Sequence, residues 1–173
     1  MVAFDEGRFG LKTWFRRRWC PLGYRPPWVV DDRYEWCWLY AAVEPATGTG
    51  VFLLLPEVTG DCLQVFLEHL RREMGDVRVG IVLDGSGSHR SSQITWPQDL
   101  FPLSLPAYSP ELNPAEHIFR HLRKHLSNRL FEDLEALQSA LVDELQVFWT
   151  DPTVLLSLTS YSWWIEGTRA IMT

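Results

Sequence analysis

The five residues "VGIVL" (79–83) are apolar at every position and run straight into Asp84. A strand apolar on both sides must be covered on both sides. The run therefore predicts a strand inside a parallel or mixed sheet with helices on its faces. Ligands of such sheets collect beyond the carboxyl ends of strands, so position alone makes Asp84 a candidate site residue.

The segments around this strand fit the same class. "VAF" (2–4) is a short apolar run ending at Asp5, which puts Asp5 at a strand end as well, and a second strand is read over Phe9 to Phe15. "WCPLGYRPP" (19–27) is loop-like, rich in Pro and Gly. Tyr34, Trp36, Trp38 and Tyr40 alternate as a strand with an aromatic face; "EPATGTG" (44–50) reads as a turn and "VFLLL" (51–55) as the next strand. Residues 61–74 have helical spacing, with Gly75 as a stop. "LFPLSL" (100–105) is a further strand, and helices are expected over 114–127 and 132–149. Strands followed by alternating helices and strands predict a mixed sheet with helices packed on it.

Composition narrows the function. The chain has 173 residues, enough for one domain with a sizeable core. No apolar run reaches the roughly 20 residues a membrane helix needs. Cys20, Cys37 and Cys62 are odd in number and form no CxxC, which argues against disulfides or zinc and for a cytoplasmic setting. A net charge of −6 means that any nucleic acid must be met by a local basic stripe. Nine Trp suggest broad apolar faces or an interface, and "SYSWW" (160–164) reads as a packing or dimer contact.

Three carboxylates stand out: Asp5, Asp84 and Glu116. Two hard cations about 4 Å apart can flank a scissile phosphate, and magnesium takes carboxylate oxygens held on rigid elements. Each acid also has a plain structural role open to it. An Asp after a strand can simply open a turn. Glu116 can complete a capping box behind Asn113 and Pro114, or pair with Arg120 one helical turn on. On the helical wheel Ile118, Phe119, Leu122 and Leu126 form one stripe, with Glu116, Arg120 and Arg123 on the other side.

Taken together, "FDEGRFGL" (4–11), "IVLDGSGSH" (81–89) and "LPAYSPELNPAEHIFRHLRK" (105–124) resemble the three acidic blocks of DDE transposases. The resemblance is to bacterial insertion-sequence enzymes of the mariner-like superfamily and spans residues 1–149. It implies an α/β, ribonuclease H-like fold with a mixed five-stranded sheet flanked by helices. It also implies a catalytic domain over residues 1–150 and a tail, 151–173, that packs on the domain or on a partner. Carried over by position, Asp5, Asp84 and Glu116 become the catalytic and metal-binding triad for Mg2+ or Mn2+, two ions in all. Glu116 is chosen over Glu111, which is left as a turn residue. His89, Arg120, Arg123 and Lys124 become DNA contacts. Arg16, Arg17 and Arg18 are open to the same role or to a solvated surface. Where the family often has Asn after the second Asp, Gly85 stands here.

The implied partners are DNA, as transposon ends and target, and either a homodimer or a partner chain with a helix-turn-helix domain, since family members carry such domains ahead of the first acid. The implied setting is cytoplasmic and nucleoid-associated. Two other readings remain: an inactive or domesticated module serving dimerisation or regulation, and a ribonuclease H-type hydrolase of RNA–DNA hybrids.

Overall fold

In the computed structural model residues 1–85, 94–106 and 108–172 are described. Five strands form one mixed sheet: β1 (Val2–Gly10), β2 (Trp36–Glu44), β3 (Thr49–Leu55), β4 (Val79–Leu83) and β5 (Leu100–Ser104). Their spatial order is β3-β2-β1-β4-β5. The β1–β2 and β2–β3 pairs are antiparallel, while β1–β4 and β4–β5 are parallel.

Helix α1 (Gly60–Met74) covers one face, and α2 (Ala115–Leu126), α3 (Leu134–Thr150), α4 (Pro152–Thr159) and α5 (Ser162–Met172) gather on the other side. Strand parity sorts the core. Val2, Phe4, Tyr40 and Ile81 meet Phe66 and Leu67 of α1, whereas Ala3, Phe9, Leu39 and Val82 meet Phe119 and Leu122 of α2 and Leu141 of α3. All five residues of β4 are buried, as a strand covered on both faces requires. Leu155 and Trp164, from α4 and α5, are buried in the second of these clusters.

The helix ends follow local chemistry. Thr59 Oγ1 accepts the Cys62 N–H at 3.2 Å to open α1, and Gly75, at φ 61°, closes it in a conformation that costs a side chain energy. Asp133 caps α3 by accepting from the Ala136 N–H at 2.8 Å. In α2 the four large buried side chains, Ile118, Phe119, Leu122 and Leu126, each contribute roughly 1.5–3 kcal/mol by leaving water, and Ala115 is buried beside them. These elements match the sequence expectations to within about two residues.

Two expectations need correction. Asp5 does not end a strand: β1 runs on to Gly10, with Asp5 paired to Ala41 of β2. Nor does a second strand cover Phe9 to Phe15. Phe9 and Gly10 belong to β1, and residues 13–35 form no strand. The run Arg16, Arg17, Arg18 offers no apolar face to a sheet, and the chain turns outward before it.

No helix among the described residues is long and apolar enough to cross a membrane. All three cysteines are free.

Candidate active site

The register of β1 against β4 builds the site. Val2 lies opposite Ile81 and Ala3 opposite Val82, an offset of 79 residues. The same offset separates Asp5 from Asp84, so continuing the register sets them side by side just past the end of β4. Asp5 shares the parity of Ala3, which faces α2. Helix α2 then starts over this point and contributes Glu116 from its first turn.

The three acids line one cleft of about 540 Å³, together with Gly85, Asn113 and the segment around Tyr108, Ser109 and Pro110. Asp84 is exposed, whereas Asp5 and Glu116 are half-buried. Burial is the main cause that pushes the Asp5 pKa up to about 7; the charges of Glu116, Glu6 and Asp84 add to it, and the Glu6 N–H bond works against it. That N–H donates to Asp5 Oδ1 at 2.9 Å.

Asn113 fixes the approach of α2 to β1. Its Nδ2 donates to the Phe4 carbonyl at 3.0 Å and to Asp5 Oδ2 at 3.2 Å. Its Oδ1 accepts the Ala115 N–H at 3.1 Å, capping the helix. The backbone N–H of Asn113 donates to the Pro110 carbonyl at 3.0 Å, the bond that a capping box would give to Glu116. Glu116 is therefore spent neither on that cap nor, among the described residues, on an ion pair with Arg120. From sequence alone Asn113 offers a helix cap. Its second role had a signal in the wording Leu-Asn-Pro-x-Glu, but the partner on β1 lies 108 residues away. Glu111, in the 3-10 turn Pro110–Leu112, is exposed and does not line the cleft.

Glu116 also borders a second groove of about 400 Å³, lined by Phe15, Arg16, Arg120, Arg123, Lys124 and Ser127. Arg120 and Lys124 are exposed there. Arg123 differs: its guanidinium lies 4.8 Å from the Trp14 ring, 5.5 Å from Phe9 and 5.8 Å from Phe119. Its Nε is buried without a hydrogen-bond partner, and burial lowers its pKa. His89 lies outside the described residues.

Among the described residues no three His, Cys, Asp or Glu side chains are already gathered as an ion cage. The donor set in the cleft is nonetheless all carboxylate oxygen, the chemistry of hard divalent cations, and the mutual repulsion felt at Asp5 is what a cation would relieve.

An acidic cleft at the end of a central parallel strand in a β3-β2-β1-β4-β5 sheet defines a ribonuclease H-like α/β domain. Residues 1–138 match the family model of the DDE superfamily endonucleases, and the chain belongs to that family. Uncharacterized protein y4pE/y4sA of Sinorhizobium fredii (strain NBRC 101917 / NGR234) is 33% identical over 102 residues, 58% of this chain and 76% of that protein. Among solved structures, the Mos1 strand transfer complex is similar with a TM-score of 0.67 at 19% identity, over 90% of this chain and 49% of that one. The Mos1 mariner paired end complex with Mn gives 0.63 at 19% identity, over 90% and 52%. The chain thus spans about half the length of these Mos1 chains, and at such identity the likeness shows the fold.

Proposed function

We propose that this chain is the catalytic core of an insertion-sequence transposase, a DNA endonuclease and strand-transfer domain in which Asp5, Asp84 and Glu116 hold Mg2+ or Mn2+, two ions in all. The observation that carries the reading is the convergence of these three acids, from β1, from the residue after β4 and from the first turn of α2, on one cleft. Family membership and the partners found in the Mos1 complexes, a transposon end and the metals Mn and Mg, support it.

In the proposed reaction the oxygen of water attacks a phosphodiester at the transposon end. The 3′-oxygen leaves and takes up a proton. The freed 3′-hydroxyl oxygen then attacks a target phosphodiester and loses its proton, while the target's 3′-oxygen is expelled and takes a proton up. Bound divalent ions supply the positive charge that both the entering and the leaving oxygen need. The chain's own residues do the holding: Asn113 fixes Asp5, the strand register sets Asp84 beside it, and α2 aims Glu116. Arg120 and Lys124 then neutralise phosphates of the DNA on either side of the cut.

Residues 1–150 are assigned to the catalytic domain and 151–173 to a tail that braces it. The partners are DNA, as transposon ends and target, and either a second copy of the chain or a partner chain that supplies a helix-turn-helix domain. The setting that such a substrate implies is cytoplasmic and nucleoid-associated.

The test is nicking of supercoiled plasmid with millimolar Mn2+, alongside thermal unfolding with and without the ion. Asp84→Asn is expected to abolish both nicking and the metal-induced rise in Tm. Nicking that survives this substitution sinks the reading. No nicking and no stabilisation by Mn2+ favours the inactive module, and preference for RNA–DNA hybrid favours the ribonuclease H reading.

A further inference from the structure

Three of the five histidines in the chain stand on α2 at a spacing of four: His117, His121 and His125. Residues four apart lie on one helical face. They make a third face of α2, between the apolar stripe and the charged side that carries Glu116. At about 100° per residue, His121 and His125 point roughly 140–180° away from Glu116. Neither lines the acidic cleft. His117 is occupied, with Tyr161 Oη 2.9 Å from its Nε2. The other two form a pair, their ring centroids 4.2 Å apart.

Helix α3 meets this pair at two places. His125 Nδ1 lies 2.7 Å from Glu144 Oε2, and the His121 ring packs 5.6 Å from Phe148, one turn further along α3. A surface ion pair accounts for half of this: His125 stands by Glu144 much as His69 stands 4.0 Å from Glu73 on α1. It does not account for a second imidazole held beside the first. His121 is half-buried and, among the described residues, makes no hydrogen bond. Burial first, then the neighbouring His125 and Lys124, lower its pKa, while Glu144 acts against them. The ring is thus kept in the neutral form, which has a lone pair to give.

The Glu144 carboxylate takes the Nδ1 proton of His125 as a hydrogen bond and leaves the lone pair on Nε2. A carboxylate behind one imidazole is how metal-binding histidines are oriented. Two histidines four apart on one helix are spaced to share an ion. Imidazole selects borderline transition metals, not the hard ions that suit the all-carboxylate cleft. We propose that His121 and His125 bind one divalent ion of the zinc class through a ring nitrogen each, with Glu144 orienting His125 and water completing the shell. Two protein ligands suffice, in keeping with the lack of a ready three-residue cage among the described residues. Because Glu144 belongs to α3, the ion staples α2 to α3. The inference uses none of the cleft residues and stands whether or not the cleft cuts DNA.

The test is titration of the whole chain with Zn2+ by calorimetry in millimolar Mg2+, which competes for carboxylates and leaves imidazole free. One Zn2+ is expected to bind and to raise Tm. His125→Ala, at an exposed position, removes both effects. Glu144→Gln weakens Zn2+ binding about tenfold by loosening the ring. His69→Ala, from the comparable pair on α1, changes nothing. Asp84→Asn keeps the Zn2+ response, so failure of this site and failure of the cleft are read separately. With Cu2+ as the probe, electron paramagnetic resonance is expected to show two ring nitrogens on the metal, and one in His121→Ala. Zn2+ affinity that survives His125→Ala overturns the proposal. So does its loss in Asp84→Asn, which hands the ion to the acidic cleft. A single nitrogen on copper in the parent chain, or two still present in His121→Ala, overturns it as well.

Discussion

Asn113 donates from Nδ2 to Asp5 Oδ2 at 3.2 Å while the same nitrogen donates to the Phe4 carbonyl at 3.0 Å and Oδ1 receives the Ala115 N–H. One buried side chain, 2% exposed, thus ties the strand that carries Asp5 to the helix that carries Glu116. Asn113→Ala leaves the Phe4 carbonyl and a helix N–H without these partners. It is expected to cost about 2–4 kcal/mol, or roughly 4–16 °C in Tm, measured by urea and thermal unfolding. Asn113→Asp keeps the cap but replaces the donor facing Asp5 with a like charge. The Asp5 titration should then move higher still, as followed by carboxyl 13C shifts.

Asp5 also couples the site to pH. Its folded-state pKa of about 7 lies above the ordinary 3.8, chiefly through burial. The contribution of this group to stability is therefore fully present below about pH 4 and is lost as pH rises towards 7, where the folded state must accept a buried charge. Metal binding has the opposite sign, since an ion needs the carboxylate. Affinity for Mn2+ should climb up to about pH 7 and then level off, with close to one proton released per binding event at pH 6. Calorimetry in buffers of different ionisation enthalpy reads that proton. A flat affinity from pH 5 to 8 would remove Asp5 from the ligand set.

The difference between what was legible and what was not lies in sequence distance. The strand "VGIVL" and the stripe of α2 are local patterns, and burial of each follows from its own residues. Asp84 at a strand end was equally local. Asp5 was misplaced because a charged residue inside an apolar run looks like its end; β1 tolerates it since β4 stops alongside and leaves room for the cleft. The separation of 79 between the two aspartates was visible, but only the pairing of Val2 with Ile81 turns that number into a register. By helical angle Arg123 falls with Glu116 and Arg120 away from the apolar stripe, which is why the sequence offers it as a DNA contact. Its long stem instead folds back over the aromatic rings at the edge of the stripe, as amphipathic side chains do.

Gly7 sits two residues beyond Asp5 on the same face of β1, and a Cβ there would come within 2.6 Å of the Phe119 ring. Phe119 is buried at 1% exposure, one helical turn on from Glu116, so it has little room to yield. Gly7→Ala should therefore push α2 away from β1. About 1–3 kcal/mol of stability is expected to go with it. Because the displaced helix carries Glu116, Mn2+ affinity should fall together with stability. Gly167→Ala is the control, since a Cβ there meets nothing within 4 Å. Retention of full metal affinity in a destabilised Gly7→Ala would show that the approach of α2 does not set the cleft.

The basic groove separates two kinds of arginine on one helix. Arg120 and Lys124 are exposed beside Glu116, so replacing both by Ala removes charge and little packing. Duplex binding should weaken uniformly across sequences. The slope of log K against log salt should flatten by about 2, with stability unchanged to within about 0.5 kcal/mol. Arg123 lies among Phe9, Trp14 and Phe119 with its Nε buried and unbonded. Arg123→Ala empties that space, and the expected result is the reverse: about 1–3 kcal/mol of lost stability with a salt slope changed by less than one. Anisotropy titrations at several salt concentrations, paired with thermal unfolding of each variant, measure both axes at once. A steep loss of salt dependence in Arg123→Ala with no loss of stability would move that residue from the packing of α2 to the phosphate track.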